Sequence, residues 1–136
     1  MLLLQRMRGE ERVIFIGINP AIDAERDVVF CKNKKDAAEA KAGSLAVMKF
    51  DESDLEFYVK SGIPMAVEVA GARDFLLLAA TRAKYAIAEI ELAKTLQKIA
   101  DRYVMDIKVL AMSNDITAAA EAGIDGIFAS AQEKRG

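Results

Sequence analysis

Leu45-Ala46-Val47-Met48-Lys49-Phe50 and Met65-Ala66-Val67-Glu68-Val69-Ala70 are two short apolar runs whose starts lie 20 residues apart. Between them, Ser53 stands three residues before Glu56, a capping-box pattern that opens a helix. Ser61-Gly62, with Pro64 just beyond, closes it. A strand, a helix and a strand in that length suit a parallel pair joined by a crossover helix. The plan repeats: apolar runs begin at Val28, Leu45, Met65, Tyr85, Ile107 and Gly126, at intervals of 17, 20, 20, 22 and 19 residues. The chain is therefore expected to be α/β with a mainly parallel sheet.

Reading outward, strands are expected at Val28–Cys31, Leu45–Phe50, Met65–Ala70, Tyr85–Ile90, Ile107–Met112 and Gly126–Ser130. A short helix over Asp36–Ala42 would end at Gly43. Gly71 opens another that runs to about Arg82, and its Phe75–Ala80 segment is apolar most of the way round. Such a helix needs cover on two sides, one from the sheet and one from a second helix or a second subunit. Glu91–Tyr103 is the most regular helix, with Leu92, Leu96, Ile99, Ala100 and Tyr103 on one stripe and Lys94, Lys98 and Arg102 on the other side. Ser113-Asn114 offers capping oxygens for a last helix that ends at Gly123.

The first part of the chain reads differently. Leu2-Leu3-Leu4 and Val13-Ile14-Phe15-Ile16 flank Arg8-Gly9-Glu10-Glu11, which predicts a hairpin or a short edge strand before a longer one. Alternatively, Val13–Ile18 is itself a parallel strand, with Asn19-Pro20 breaking the chain after it. Taken together, the pattern predicts one domain over residues 1–136, a three-layer, doubly wound sheet of five to six strands with an N-terminal hairpin or edge strand. A partial (β/α) barrel completed by dimerisation is the alternative, because a closed eight-unit barrel takes about 250 residues.

Composition narrows the chemistry. Hydrophobic residues make up 53 % and the net charge is −2 with scattered basic residues, so no nucleic-acid footprint is expected and a self-association surface is. The single cysteine, Cys31, fits a reducing compartment. The Met1–Leu4 run is too short for a signal-peptide core, and no run approaches the roughly 18 apolar residues of a membrane span. A cytoplasmic protein without membrane contact is expected. With no histidine, Ser–His and Cys–His nucleophile pairs cannot be built, and the usual transition-metal sites lose their commonest ligand. No cofactor is expected.

Parallel α/β sheets bind ligands beyond the carboxyl ends of their strands. Lys49, Glu68 and Glu89 interrupt late positions of consecutive apolar runs, so neighbouring strands would gather them into a Lys–Glu–Glu cluster. Lys49 would then form a Schiff base or contact a phosphate, and Glu68 or Glu89 would transfer protons. The competing reading is a partly buried Lys49–Glu68 ion pair with Glu89 facing water. Asp51, Ser113, Asn114 and Ser130 reach the same edge as ligand-binding candidates, and Asp51, Glu68 and Glu89 form a weaker option for an all-oxygen cation site. Cys31 beside Lys32, Lys34 and Lys35 has the setting of a thiolate, although a buried structural cysteine is the commoner outcome. No Gly-x-Gly-x-x-Gly follows a strand and no P-loop occurs.

Residues Ala120-Glu121-Ala122-Gly123-Ile124-Asp125-Gly126-Ile127-Phe128-Ala129-Ser130 resemble the helix-to-strand step late in phosphate-binding (β/α) barrels. In those barrels an Ala-Gly-Ala-Asp-Gly-Val turn leads to a strand ending in Gly-Ser; here Ala129 stands in place of the glycine that lets phosphate approach. From about Leu45 onward the chain is similar to short conserved-hypothetical bacterial α/β proteins without an assigned activity. Neither resemblance carries over a catalytic residue. The expected function is a self-associating α/β domain that binds a small anionic ligand at the carboxyl edge of the sheet. The alternative is a small lyase, isomerase or aldolase-like enzyme using Lys49 with Glu68 and Glu89.

Overall fold

The computed structural model describes residues 12–129. In chain order the elements are β1 Ile14–Ile16, β2 Val28–Phe30, α1 Lys34–Ala38, β3 Leu45–Lys49, a 3-10 turn Glu52–Asp54 leading into α2 Leu55–Lys60, and β4 Met65–Glu68. Then follow α3 Ala72–Ala79, β5 Tyr85–Ala88, α4 Ile90–Tyr103, β6 Lys108–Met112, α5 Ile116–Glu121 and β7 Gly126–Phe128.

All pairings are parallel, and the seven strands lie in the order β1-β7-β6-β5-β4-β3-β2. Each strand from β2 to β7 therefore sits beside its successor. No reversal of direction, the mark of a doubly wound sheet, occurs. The sheet is curled into a half-barrel with the helices between strands. Of the two expected arrangements the partial barrel is the one adopted, and the three-layer sandwich is not.

Two observations show the curl. Phe30 on β2 and Phe128 on β7 stand at nearly opposite ends of the strand order, yet their ring centroids are 6.0 Å apart. In a flat sheet, five strand spacings of about 4.8 Å would hold them about 24 Å apart. The two faces also pack differently. Ala46, Met65, Val67, Ala86, Val109 and Ala111 pack with helix residues such as Tyr58, Phe75, Leu78, Leu96 and Ala119. The other cluster, Ile16, Leu45, Val47, Ala66, Tyr85, Ile87, Leu110 and Phe128, contains strand residues alone and is nonetheless buried. That face closes on itself.

Val13–Ile18 proves to contain the parallel strand β1, which adds a seventh strand beside β7. The Leu2–Leu4 half of the expected hairpin, and Ser130, lie outside the described residues. Gly126 makes the β1–β7 pairing possible: a Cβ there would lie 2.2 Å from the Ile14 carbonyl oxygen and 2.7 Å from Ile14 Cβ. The β1–β2 connection, residues 17–27, carries no helix; Ala24 donates its N–H back to the Phe15 carbonyl at 2.8 Å.

Several boundaries differ from expectation for identifiable reasons. The first helix spans Lys34–Ala38 instead of Asp36–Ala42, because Asn33 caps it by accepting from the Asp36 N–H at 3.0 Å. Ser53 is not the cap of the next helix. Asp51 accepts from both the Ser53 N–H at 3.0 Å and its hydroxyl at 2.7 Å, starting a 3-10 turn first. β5 stops at Ala88, since Glu89 is already the cap of α4.

Candidate functional site

The carboxyl rim is built by loops in which polar side chains fold back on nearby backbone N–H groups, in most of them at the start of the helix that follows. After β1, Asp23 accepts the Ile18 and Asn19 N–H groups, each at 3.0 Å. After β2, Asn33 caps α1 by accepting the Asp36 N–H, and the Asp36 carboxylate accepts the Lys32 N–H one residue before the cap, each at 3.0 Å. After β3, the Asp51 hydrogen bonds from Ser53 hold its carboxyl below the ordinary value. The Asp51 N–H meanwhile donates to the Tyr58 hydroxyl at 3.1 Å. After β5, Glu89 accepts from Glu91 N–H at 3.0 Å and Leu92 N–H at 2.6 Å. After β6, Ser113 Oγ accepts the Asp115 N–H at 2.9 Å, and Asp115 caps α5 by accepting the Ala118 N–H at 3.0 Å. Asn33, Asp51, Glu89 and Asp115 thereby satisfy donors that the start of the following helical turn leaves open, while Asp23 satisfies donors of its own loop.

Lys49 and Glu68 are different. They end β3 and β4 and are register partners, one strand spacing apart. Side chains alternate along a strand, so Lys49 follows Val47 and Glu68 follows Ala66 onto the concave face. Lys49 is exposed and Glu68 partly buried. Among the described residues neither forms an ion pair or a side-chain hydrogen bond. The expected Lys49–Glu68 ion pair is thus absent among those contacts, although the two stand side by side.

The three-residue cluster does not assemble as expected. β3, β4 and β5 are neighbours, but Glu68 pairs with Ile87. Glu89 lies beyond the strand, with both carboxylate oxygens engaged by α4. Among the described residues no group of three or more His, Cys, Asp or Glu side chains is placed to hold a metal. Ser113 is occupied with the Asp115 N–H, whereas Asn114 is exposed at the rim.

Cys31 is buried, and its thiol faces the Val29 carbonyl at 3.6 Å. Burial, then the Asp36 carboxylate, push its pKa up; the neighbouring lysines do not create a thiolate.

At the opposite end of the strands is a group that the sequence reading missed. Glu25, from the helix-free β1–β2 connection, accepts from the Tyr85 hydroxyl at 2.8 Å and from Lys84 Nζ at 2.7 Å. Burial and the Glu25 carboxylate raise the Tyr85 phenol well above its ordinary value, so it stays a donor. An inward tyrosine at the start of β5 calls for a polar partner, but nothing local points to Glu25, 60 residues away.

The turn before β7 is similarly committed. Gly123 takes φ +73° at the end of α5. The Asp125 carboxylate accepts the Val109 N–H at 2.9 Å, and the Asp125 N–H donates to Gln97 Oε1 at 2.8 Å. Burial raises the Asp125 carboxyl above its ordinary value, against the lowering effect of its hydrogen bonds.

No described helix is long and apolar enough to cross a membrane. The sequence matches no protein-family model and no curated protein at a significant level.

Proposed function

We propose that the chain is a cytoplasmic, self-associating binding module that takes a small anionic ligand at the carboxyl rim of its half-barrel. Lys49 supplies the attracting charge, and Glu68 beside it accepts a hydrogen bond from a hydroxyl or ammonium group of the same ligand. One observation carries this reading: Lys49 and Glu68 are the charged residues that end strands on this rim, and they are left without partners where the neighbouring carboxylates cap helices. An unpaired cation and anion held about 5 Å apart by strand spacing are arranged for a ligand that carries both kinds of group.

Binding is preferred to Schiff-base catalysis on two grounds. Amine nucleophiles are activated by apolar enclosure or a cationic neighbour, and Lys49 stands exposed beside a carboxylate. The second carboxylate that proton transfer would use, Glu89, is held by α4.

The test is a titration with inorganic phosphate, followed by a simple amino acid, read by NMR shifts of backbone amides and lysine side chains. Shifts centred on Lys49 and Glu68, abolished in Lys49→Ala, are expected. Shifts confined to residues 17–20, or no saturable shift with either probe, would overturn the reading.

A further inference from the structure

Among the described crossovers, the β1–β2 connection alone carries no helix. Because every pairing is parallel, it runs from the carboxyl end of β1 to the amino end of β2. Near its end Glu25 meets Tyr85, a member of the concave cluster, so the connection crosses the concave side of the half-barrel. Between it and strands β1, β2 and β7 lies a cavity of about 320 Å³. Small-molecule sites begin at roughly that size, about 300 Å³. Asn19, Asp23, Glu25 and Arg26 line it, together with Val28 and Phe128.

Three of these side chains are fixed through one polar atom and leave the other idle. Asp23 Oδ1 accepts the Ile18 and Asn19 N–H groups, each at 3.0 Å. Asn19 Oδ1 accepts the Ala21 N–H at 2.9 Å. Glu25 Oε2 takes the Tyr85 hydroxyl and Lys84 Nζ. Among the described residues Asp23 Oδ2, Asn19 Nδ2 and Glu25 Oε1 have no partner, and Arg26 makes neither a hydrogen bond nor an ion pair. The Glu25 side chain is 12 % exposed, and a carboxylate so far withdrawn from water gains from a further donor. Groups already held in place lose little freedom when a ligand arrives.

We infer that this cavity is a second binding site, for a neutral polyhydroxylated molecule the size of a monosaccharide. The lining offers two acceptors, on Asp23 and Glu25, beside two donors, on Asn19 and Arg26. A hydroxyl donates and accepts at once, so neighbouring hydroxyls on one small molecule meet both kinds. A bare cation fits less well, because Arg26 stands among the carboxylates and no third acidic ligand joins them among the described residues. A bare anion would face the Asp23 carboxylate, which has no cation of its own. The site is separate from the rim pair, since neither Lys49 nor Glu68 lines the cavity.

The test is a titration of the full chain with D-glucose, D-galactose and D-ribose, read by NMR shifts of backbone amides. Saturable shifts within residues 16–28 are expected with at least one of the three. Asp23→Asn keeps an oxygen for the Ile18 and Asn19 N–H groups and turns the idle acceptor into a donor. Its dissociation constant should rise about tenfold or more, with hydrogen-exchange protection at Ile18 and Asn19 showing that the loop is intact. Arg26→Ala breaks no bond among the described residues and should weaken binding about fivefold without moving the unfolding midpoint. No saturable shift with any of the sugars would overturn the inference, as would sugar binding indifferent to both variants. Saturation of these residues by glycine and by no sugar would overturn the ligand class, and sugar shifts centred on Lys49 would overturn the location. The rim reading is decided separately, by phosphate at Lys49.

Discussion

The two ends of the strands use polar residues in opposite ways. At the carboxyl end, Asp23, Asn33, Asp51, Glu89 and Asp115 are short-range devices: each accepts from backbone N–H groups within five residues of itself. At the amino end the bonds are long-range. Glu25 reaches Tyr85 across 60 residues, and Asp125 reaches Val109 across 16. The first kind orders loops and starts helices locally, and the second ties distant strands into a curl. A polar residue at a strand end is therefore weak evidence of a ligand site until its backbone obligations have been counted. Counting them leaves Lys49 and Glu68.

The sharpest way to break the amino end is Gly126→Ala. Its new Cβ would meet the backbone of Ile14, which cannot rotate away, so a loss near the upper end of overpacking costs, about 3 kcal/mol, is expected. Chemical denaturation measures it; a loss under about 0.5 kcal/mol, the range of an unconstrained surface site, would show that β1 does not lie against β7 there.

Asp125→Asn should act in the other direction. Because the folded carboxyl titrates above its ordinary value, the fold binds more protons than the unfolded chain in the interval between the two. Stability therefore falls as pH rises through that interval, and the cost of burying the charge is fully present above it. Asparagine keeps an oxygen for the Val109 N–H without the charge. Its midpoint should exceed that of wild type at pH about 7 and lose the advantage in acid, below the ordinary carboxylate value of about 3.9. An advantage independent of pH would contradict the assignment.

At the carboxyl end the contrast is between neighbours. Glu89→Ala removes a helix cap and should cost about 1 kcal/mol. Lys49→Ala, touching no partner among the described residues, should stay within about 0.5 kcal/mol. Equal losses would mean that Lys49 has a structural bond after all.

Much of this was legible in the residues, and what was not has a physical cause. The strand–helix spacing located β2 to β7 because crossover units have a narrow length range. The curl was hidden because parallel strands are buried on both faces: Tyr85-Ala86-Ile87-Ala88 is buried throughout, whether its second face meets helices or meets itself. In β5 alone the larger Tyr85 and Ile87 turn inward and Ala86 and Ala88 lie under the helices, but Met65 and Val67 under the helices and Ala66 inward break that pattern in β4. Glu89 joins the expected cluster only if β5 runs to Ile90, two residues past its end at Ala88. A cap and the last residue of a strand look alike until the boundary is known.

The gathering of Lys49 and Glu68 onto a concave rim depends on the curl, and the meeting of Phe30 with Phe128 reports the curl directly. A nuclear Overhauser measurement between the two rings should give a clear cross-peak, as centroids 6.0 Å apart require. Its absence, in spectra that resolve both rings and show the contact between Phe50 and Tyr58 at 5.9 Å, would contradict the half-barrel.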